Sequence, residues 1–156
     1  MVTQFAQVQA GDFHVDATLI QGNCLDTTVF AKGDVVFLDP TDDTWKQALT
    51  TTTAKRFGVA FDAAASTPGA AKRPRVIVHG HAIVVAGGAI GPHNRVKPGG
   101  TNGRVIEFVE ATDAFNTVVG TYAGPASNSE VPATERAGGS QILAAATNDK
   151  IWVELT

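Results

Sequence analysis

The stretch RVIVHGHAIVV, residues 75–85, decides the fold class of this chain. Its two apolar triplets, 76–78 and 83–85, consist of β-branched residues at every position instead of at alternate positions. β-branched side chains favour extended backbone, and a strand that is apolar on both sides must be covered on both sides. We therefore expect residues 75–85 to form a strand that is enclosed within a barrel or between subunits.

The sequence on either side repeats one pattern, in which short β-branched and aromatic runs are separated by Gly, Pro, Asn and Asp. In the first such run, Phe13, Val15 and Leu19 alternate with polar His14 and Asp16, which predicts one buried and one wet face. Further strands are expected at residues 14–20, 34–39, 56–61, 103–110, 117–123, 141–144 and 150–155.

Helix signals are confined to residues 41–49, where Thr41 or Asp42 caps a short predicted helix. Three stretches rich in small and turn-forming residues, 63–74, 87–102 and 124–139, are predicted as long loops. The length of 156 residues suits one domain with one core. We expect a mainly β fold, a β-barrel or β-tulip-like domain spanning residues 1–156, with at most one or two short helices and an extended N-terminal arm at 1–12.

A faint internal repeat is present. The segment FGVAF at 57–61, a loop and VIVHG at 76–80 can be set beside VGTYA at 119–123, a longer loop and IWVEL at 151–155. This predicts two similar hairpin-like units that pack on each other, in which Gly58 and Gly120 permit a bulge or a close backbone approach. Coincidence among β-rich segments is the alternative.

Composition narrows the range of partners. Charged residues make up 17% of the chain, the net charge is −3 and the pI is about 5.7. Nucleic acid is therefore not an expected direct partner. The first residues lack the pattern of a signal peptide, and no apolar run approaches the ~20 residues that cross a bilayer. We expect the product to stay in the cytosol where it is made, or to join an assembly there, with no membrane association.

The pair His79 and His81 is the strongest candidate for chemistry. Residues two apart in a strand point to one side, so both imidazoles could reach one metal ion, with His93 as a third ligand. The acid that follows such a pair in cupin barrels is absent from residues 82–86. We favour a polar, solvent- or subunit-facing role for both histidines, and the metal site stays open as the alternative.

The remaining motifs each lack a required residue. The Gly138-Gly-Ser-Gln-Ile142 stretch lacks the final Gly of a nucleophile elbow, and the Gly-rich residues 98–103 lack the Gly-Lys-Ser/Thr of a phosphate loop. Acidic residues at 39, 42 and 43 do not follow calcium-loop spacing and favour turn or capping roles. Cys24, the single cysteine, is expected to be a small half-buried residue. We predict no enzymatic activity and no cofactor.

Five short stretches share a pattern with a known group of proteins. They are GDVVFLD at 33–39, FGVAFDAAA at 57–65, VIVHGHA at 76–82, VAGGAI at 85–90 and KIWVEL at 150–155. They resemble the small capsid decoration (cement) proteins of tailed bacteriophages, in which strands of the pattern Gly-Asp-x-Val, Gly-Val-Ala and Val-x-Val-x-Gly recur in this order. The resemblance begins at Gly33 and leaves residues 1–28 and 124–139 unmatched.

The resemblance implies a viral structural protein that binds the major capsid protein, forms a homotrimer and stabilises the exterior of the virion capsid against internal DNA pressure. Capsid contacts are expected in the N-terminal arm, around Phe5 and Phe13, and in the long loops. One alternative is a small metal-dependent β-barrel enzyme that uses His79, His81 and His93. Another is a receptor- or carbohydrate-binding virion domain, for which the sugar-stacking candidates are Trp45, Tyr122 and Trp152.

Overall fold

A computed structural model of the chain describes residues 9–25, 27–50, 52–65, 73–126 and 144–156. These residues form a nine-stranded antiparallel sheet that is curled into a half-barrel. The described part contains no α-helix and one 3-10 turn, η1, at Phe115–Thr117. The strands are β1 (Thr18–Gln21), β2 (Val35–Asp39), β3 (Thr44–Gln47), β4 (Phe57–Ala60), β5 (Arg75–Val85), β6 (Arg95–Pro98), β7 (Val105–Glu107), β8 (Gly120–Pro125) and β9 (Lys150–Leu155).

The mainly β prediction is confirmed, and β5 is the strand that organises the sheet. The strand order is β3-β2-β4-β5-β9-β8-β6-β7, and β1 pairs separately with β5. The first part of β5 pairs with β4 and β1, whereas residues 80–85 pair with β9. Val76, Ile77, Ile83 and Val84 are fully buried. The prediction of a strand covered on both sides is therefore correct.

The internal repeat seen in the sequence is a repeat of topology. In the first half, β2 pairs with β3 and β4, and β4 pairs with β5; in the second half, β6 pairs with β7 and β8, and β8 pairs with β9. Even the register corresponds, because Val36 lies opposite Gly58 and Val96 lies opposite Gly120. The pairing of β5 with β9 joins the two halves.

A turn of the second half closes part of the gap between the two ends of the sheet. Gly103, between β6 and β7, accepts a hydrogen bond from the Val35 N–H at 2.8 Å and donates one to the Ala48 carbonyl at 3.0 Å. Its φ of +80° is the left-handed conformation that glycine adopts without strain. The hairpins β2–β3 and β6–β7 are therefore held together by backbone contacts.

Two apolar clusters lie on the two sides of the sheet. The larger cluster combines both halves, and among its members are Val35, Ile77, Val84, Tyr122 and Val153. The smaller cluster belongs to the first half and contains Phe30, Val36, Trp45, Ala60, Ala64, Val76 and Val78. Neighbouring residues of one strand, such as Val35 and Val36, enter different clusters because strand side chains alternate between faces.

The predicted helix at 41–49 is wrong, because Thr44–Gln47 forms β3 and pairs with β2. The acidic residues before it make a hairpin turn: Asp39 Oδ1 accepts the Thr41 N–H and Asp42 Oδ1 accepts the Thr44 N–H. Trp45, which is 1% exposed, is buried in the smaller cluster only as part of this hairpin. The turn roles predicted for the acids are thus correct, and the helix that they were taken to cap is absent.

Other sequence expectations require correction at the boundaries. The predicted loop at 87–102 contains β6, in which Val96 is buried. This strand has only four residues and ends at Pro98, so its sequence does not show the alternation of a longer strand. The strand predicted at 103–110 is limited to Val105–Glu107, and the start of the one predicted at 117–123 is occupied by η1. Residues 141–143 of another predicted strand lie outside the described residues.

Candidate functional site

The described residues before β1 run antiparallel along β5. The Gly11 N–H donates to the Ile83 carbonyl at 2.7 Å, and the His14 N–H donates to the His81 carbonyl at 3.0 Å. The backbone of Asp16 and Ala17 then passes directly over Gly80, where a Cβ would stand 2.7 Å from Ala17 Cα. Backbone hydrogen bonds thus hold residues 11–14 on β5, and the close passage of residues 16–17 requires a glycine at position 80.

This path breaks the alternation predicted for the first strand. A turn closed by the Ala17 N–H on the His14 carbonyl leaves Val15 89% exposed. The same turn directs the polar pair His14 and Asp16 towards β5. The prediction of a continuous strand at 14–20 is therefore wrong for residues 14–17, because β1 begins at Thr18. Just before the predicted strand, Phe13 forms an isolated bridge to Ala82.

Two histidines share the carboxylate of Asp16. His81 Nδ1 lies 2.7 Å from Asp16 Oδ2, and His14 Nδ1 lies 3.3 Å from Asp16 Oδ1. The His81 backbone N–H also donates to Asp16 Oδ1, at 3.2 Å. The hydrogen bond from the His81 side chain is the largest cause that lowers the pKa of Asp16 below its ordinary value. The carboxylate is therefore ionised at neutral pH, and it fixes the orientation of both rings.

These residues form one side of a pocket of about 320 Å³ on the outer face of β5 and β9, which we call the ring pocket. Its walls are His14, Asp16, His81, Ala123 and Trp152. The His14 ring stands nearly perpendicular to both other rings, at 74° to His81 and 85° to Trp152, with centroids 6.2 and 6.4 Å apart. The pocket therefore combines three aromatic walls with one negative charge.

The histidines of the proposed metal site are not brought together. His79 is exposed and pairs with Thr18, His81 is bonded to Asp16, and His93 lies in a turn with a φ of +60°. Among the described residues, no group of three His, Cys, Asp or Glu side chains is arranged to hold a metal ion. Sequence reasoning identified His81 and missed His14 and Asp16, whose only signal was a His-x-Asp pair two residues before Thr18.

Phe13, a predicted capsid-contact residue, is 40% exposed and packs edge-on against Phe61 with centroids 5.4 Å apart. Lys32 and Arg75 lie over the ring of Phe61, at 5.0 and 4.5 Å from its centroid. Arg75 in turn forms a two-pronged ion pair with Asp62 at 2.8 Å. Phe5, the other predicted contact, lies outside the described residues.

Of the three aromatic residues considered for sugar stacking, only Trp152 reaches a surface pocket. Trp45 and Tyr122 are each 1% exposed and belong to the two core clusters. Cys24 is half-buried, as predicted, with Sγ 3.5 Å from the Trp45 carbonyl oxygen. The exposed aromatic side chains of the described residues therefore lie at the ring pocket, around Phe13 and at Phe115.

Comparisons with known proteins do not assign this chain to a family. No family model, no curated protein and no solved structure matches it. In the described residues, no helix is long and apolar enough to span a membrane.

Proposed function

We propose that this chain is a capsid decoration protein of a tailed phage, which binds the major capsid protein on the exterior of the virion. The observation that carries the proposal is the position of the motifs that resemble that group. GDVV enters β2, FGVA forms β4, VIVHGHA lies in β5 and KIWVEL forms β9. These four strands are consecutive in the sheet, so the matching residues form one continuous structural unit.

The N-terminal segment is the surface that best fits capsid contact. Phe13 and Val15 expose apolar side chains on a stretch whose backbone is bound to β5, so presenting them costs little conformational entropy. The residues that precede them, including Phe5, form the proposed arm. An arm of this kind binds by adding a strand to an exposed sheet edge of the capsid, where main-chain hydrogen bonds supply affinity.

Self-association completes the proposal. A homotrimer placed where capsid subunits meet multiplies weak contacts, because each copy after the first binds at a high effective concentration. Made in the host cytoplasm, such a protein joins the capsid after it is synthesised. It needs no cofactor for this task.

Co-sedimentation with empty heads of the phage that encodes the chain tests the proposal. The full chain is expected to saturate the heads at a fixed ratio, and light scattering is expected to give the mass of a trimer. Val15→Asp places a charge on the proposed contact surface and is expected to weaken binding by about tenfold or more.

Phe115→Ser is the matched control, because Phe115 is 62% exposed but lies on η1, away from the N-terminal segment. It is expected to bind as the unchanged chain does. Removal of residues 1–8 leaves the bonded segment from Gly11 onward in place and tests the arm separately. Full binding by both Val15→Asp and the shortened chain would exclude the N-terminal segment as the contact, and a chain that ignores the heads would refute the proposal.

A further inference from the structure

We propose that the ring pocket binds an organic cation, an ammonium or guanidinium group, between the rings of His14, His81 and Trp152. This inference is independent of capsid binding. It assigns a ligand chemistry to a site that the decoration proposal does not use.

The arrangement of the rings is the first argument. Aromatic faces carry negative potential, and a cation within about 6 Å of such faces is attracted to them, most strongly at Trp. Because His14 is nearly perpendicular to both His81 and Trp152, the three rings form walls instead of a stack. The volume of about 320 Å³ admits a group of the size of tetramethylammonium or the end of an arginine side chain.

Charge is the second argument. Asp16 lies in the wall of the pocket, and Glu154 is the cross-strand neighbour of His81 on β9. Side chains at alternate positions share a face, so Glu154, Trp152 and the exposed Lys150 all lie on the outer face of β9. The carboxylate of Asp16 lies in the pocket wall itself, whereas the cations Lys150 on β9 and Arg95, which lies opposite Thr121 on β6, stand outside the lining. On β8, the neighbouring Thr121 and Ala123 carry no charge.

The same geometry argues against other ligands. A metal ion is disfavoured because no three His, Cys, Asp or Glu side chains of the described residues are arranged to hold one. An anion would face the carboxylates of Asp16 and Glu154. A neutral sugar could stack on Trp152 and donate hydroxyl hydrogen bonds to Asp16, so it is the competing ligand that the experiment must include.

The two tryptophans provide the measurement. In a ¹⁵N-labelled chain, titration with tetramethylammonium chloride at a pH of about 8 is expected to shift the indole N–H signal of Trp152 in a saturable manner. The indole signal of buried Trp45 is expected to stay in place and reports that the fold is unchanged. Sodium chloride at equal ionic strength is the matched salt control, and N-acetyl-lysine methylamide and N-acetyl-arginine methylamide show whether the cation can come from a protein side chain.

Three variants sharpen the test. Asp16→Asn keeps an oxygen that accepts hydrogen bonds but removes the charge, and His14→Ala removes a wall; each is expected to weaken binding by about fivefold or more. His14→Phe keeps an aromatic ring at this position and is expected to retain most of the affinity that His14→Ala loses.

Specific results would overturn the proposal. They are a Trp152 signal that moves equally with sodium and tetramethylammonium, a saturable shift with glucose or galactose but with no cation, or an affinity that Asp16→Asn leaves unchanged. The capsid experiment does not bear on this outcome, and failure of either proposal leaves the other standing.

Discussion

Gly58 and Gly120 occupy corresponding positions in the two halves, and both lie where backbone or side-chain atoms leave no room for a Cβ. A Cβ on Gly58 would stand 2.5 Å from Val76 Cγ1 and 2.8 Å from the Ile77 carbonyl oxygen. At Gly120 it would collide with the Glu154 carbonyl oxygen. The close backbone approach that the sequence repeat predicts is therefore present in both halves.

We expect Gly58→Ala and Gly120→Ala each to lower the free energy of unfolding by about 1–3 kcal/mol, because the sheet must move to admit the methyl group. Gly120→Ala is expected to cost more, since the Glu154 carbonyl oxygen lies closer to its Cβ position than any backbone atom does to that of Gly58. Gly88→Ala is the control: its Cβ would lie 3.3 Å from Ile106 Cγ2, the tip of a side chain that can adjust. Urea unfolding measures all three, and equal stability of the three variants would contradict the prediction.

The strands and hairpins differ in how well they could be predicted. β5 and β9 match their predicted bounds. β-branched residues fill both faces of β5, and they occupy alternate positions of β9. β3 was mistaken for a helix because the Asp-Pro-Thr-Asp-Asp turn before it also resembles a helix cap. The hairpin is decided by the burial of Trp45 against the smaller cluster, which is a contact between distant segments that local sequence does not contain.

The ring pocket illustrates the same limit. His81 stands out in the sequence as half of a His-x-His pair, whereas its partner Asp16 comes from a segment that alternation assigned to a regular strand. The close passage of residues 16–17 over Gly80 brings them together. Spacing within one strand predicted His79 as the partner of His81. In the structure the partner is Asp16, which comes from a different segment.

Two ion pairs of Lys46 stabilise the hairpin β2–β3, and they make its stability depend on pH. Lys46 Nζ lies 2.7 Å from Asp39 Oδ2 and 2.8 Å from Asp42 Oδ2. The hydrogen bond from Lys46, followed by those from Thr41, lowers the pKa of Asp39 from 3.8 to about 2. Because the folded pKa is depressed, the stabilisation is complete above the unfolded value and is lost as the pH falls towards 2.

Replacement of Lys46 by Met removes the charge and keeps most of the aliphatic chain. The variant is expected to unfold at lower urea concentration than the unchanged chain at a pH of about 6, with the difference shrinking as the pH falls from about 4 towards about 2. Both chains are measured at each pH with the same buffer and ionic strength. A difference that is constant or grows on acidification would show that the ion pair does not cause it.

The two halves are joined by the pairing of β5 with β9, which we call the seam. The larger cluster draws residues from both halves, and β5 pairs with β4 of its own half and with β9 of the other. Only the smaller cluster belongs to the first half alone. Neither half can bury its share of the larger cluster without the other, so the repeat does not divide the chain into two independent folding units.

Unfolding is therefore expected to be one cooperative transition, and each half carries a tryptophan that can report on it. Trp45 lies in the first half, within the smaller cluster, and Trp152 lies on β9 of the second half. In the variants Trp152→Phe and Trp45→Phe, the fluorescence of the remaining tryptophan is followed in urea, with far-ultraviolet circular dichroism of the same sample as the reference. Each variant is compared only with itself, because Trp45→Phe leaves a gap in the core and lowers the midpoint by its own cost. Coincident fluorescence and dichroism curves in both variants would establish that the seam couples the halves, whereas a first-half signal that is lost before the dichroism would show that the smaller cluster opens on its own.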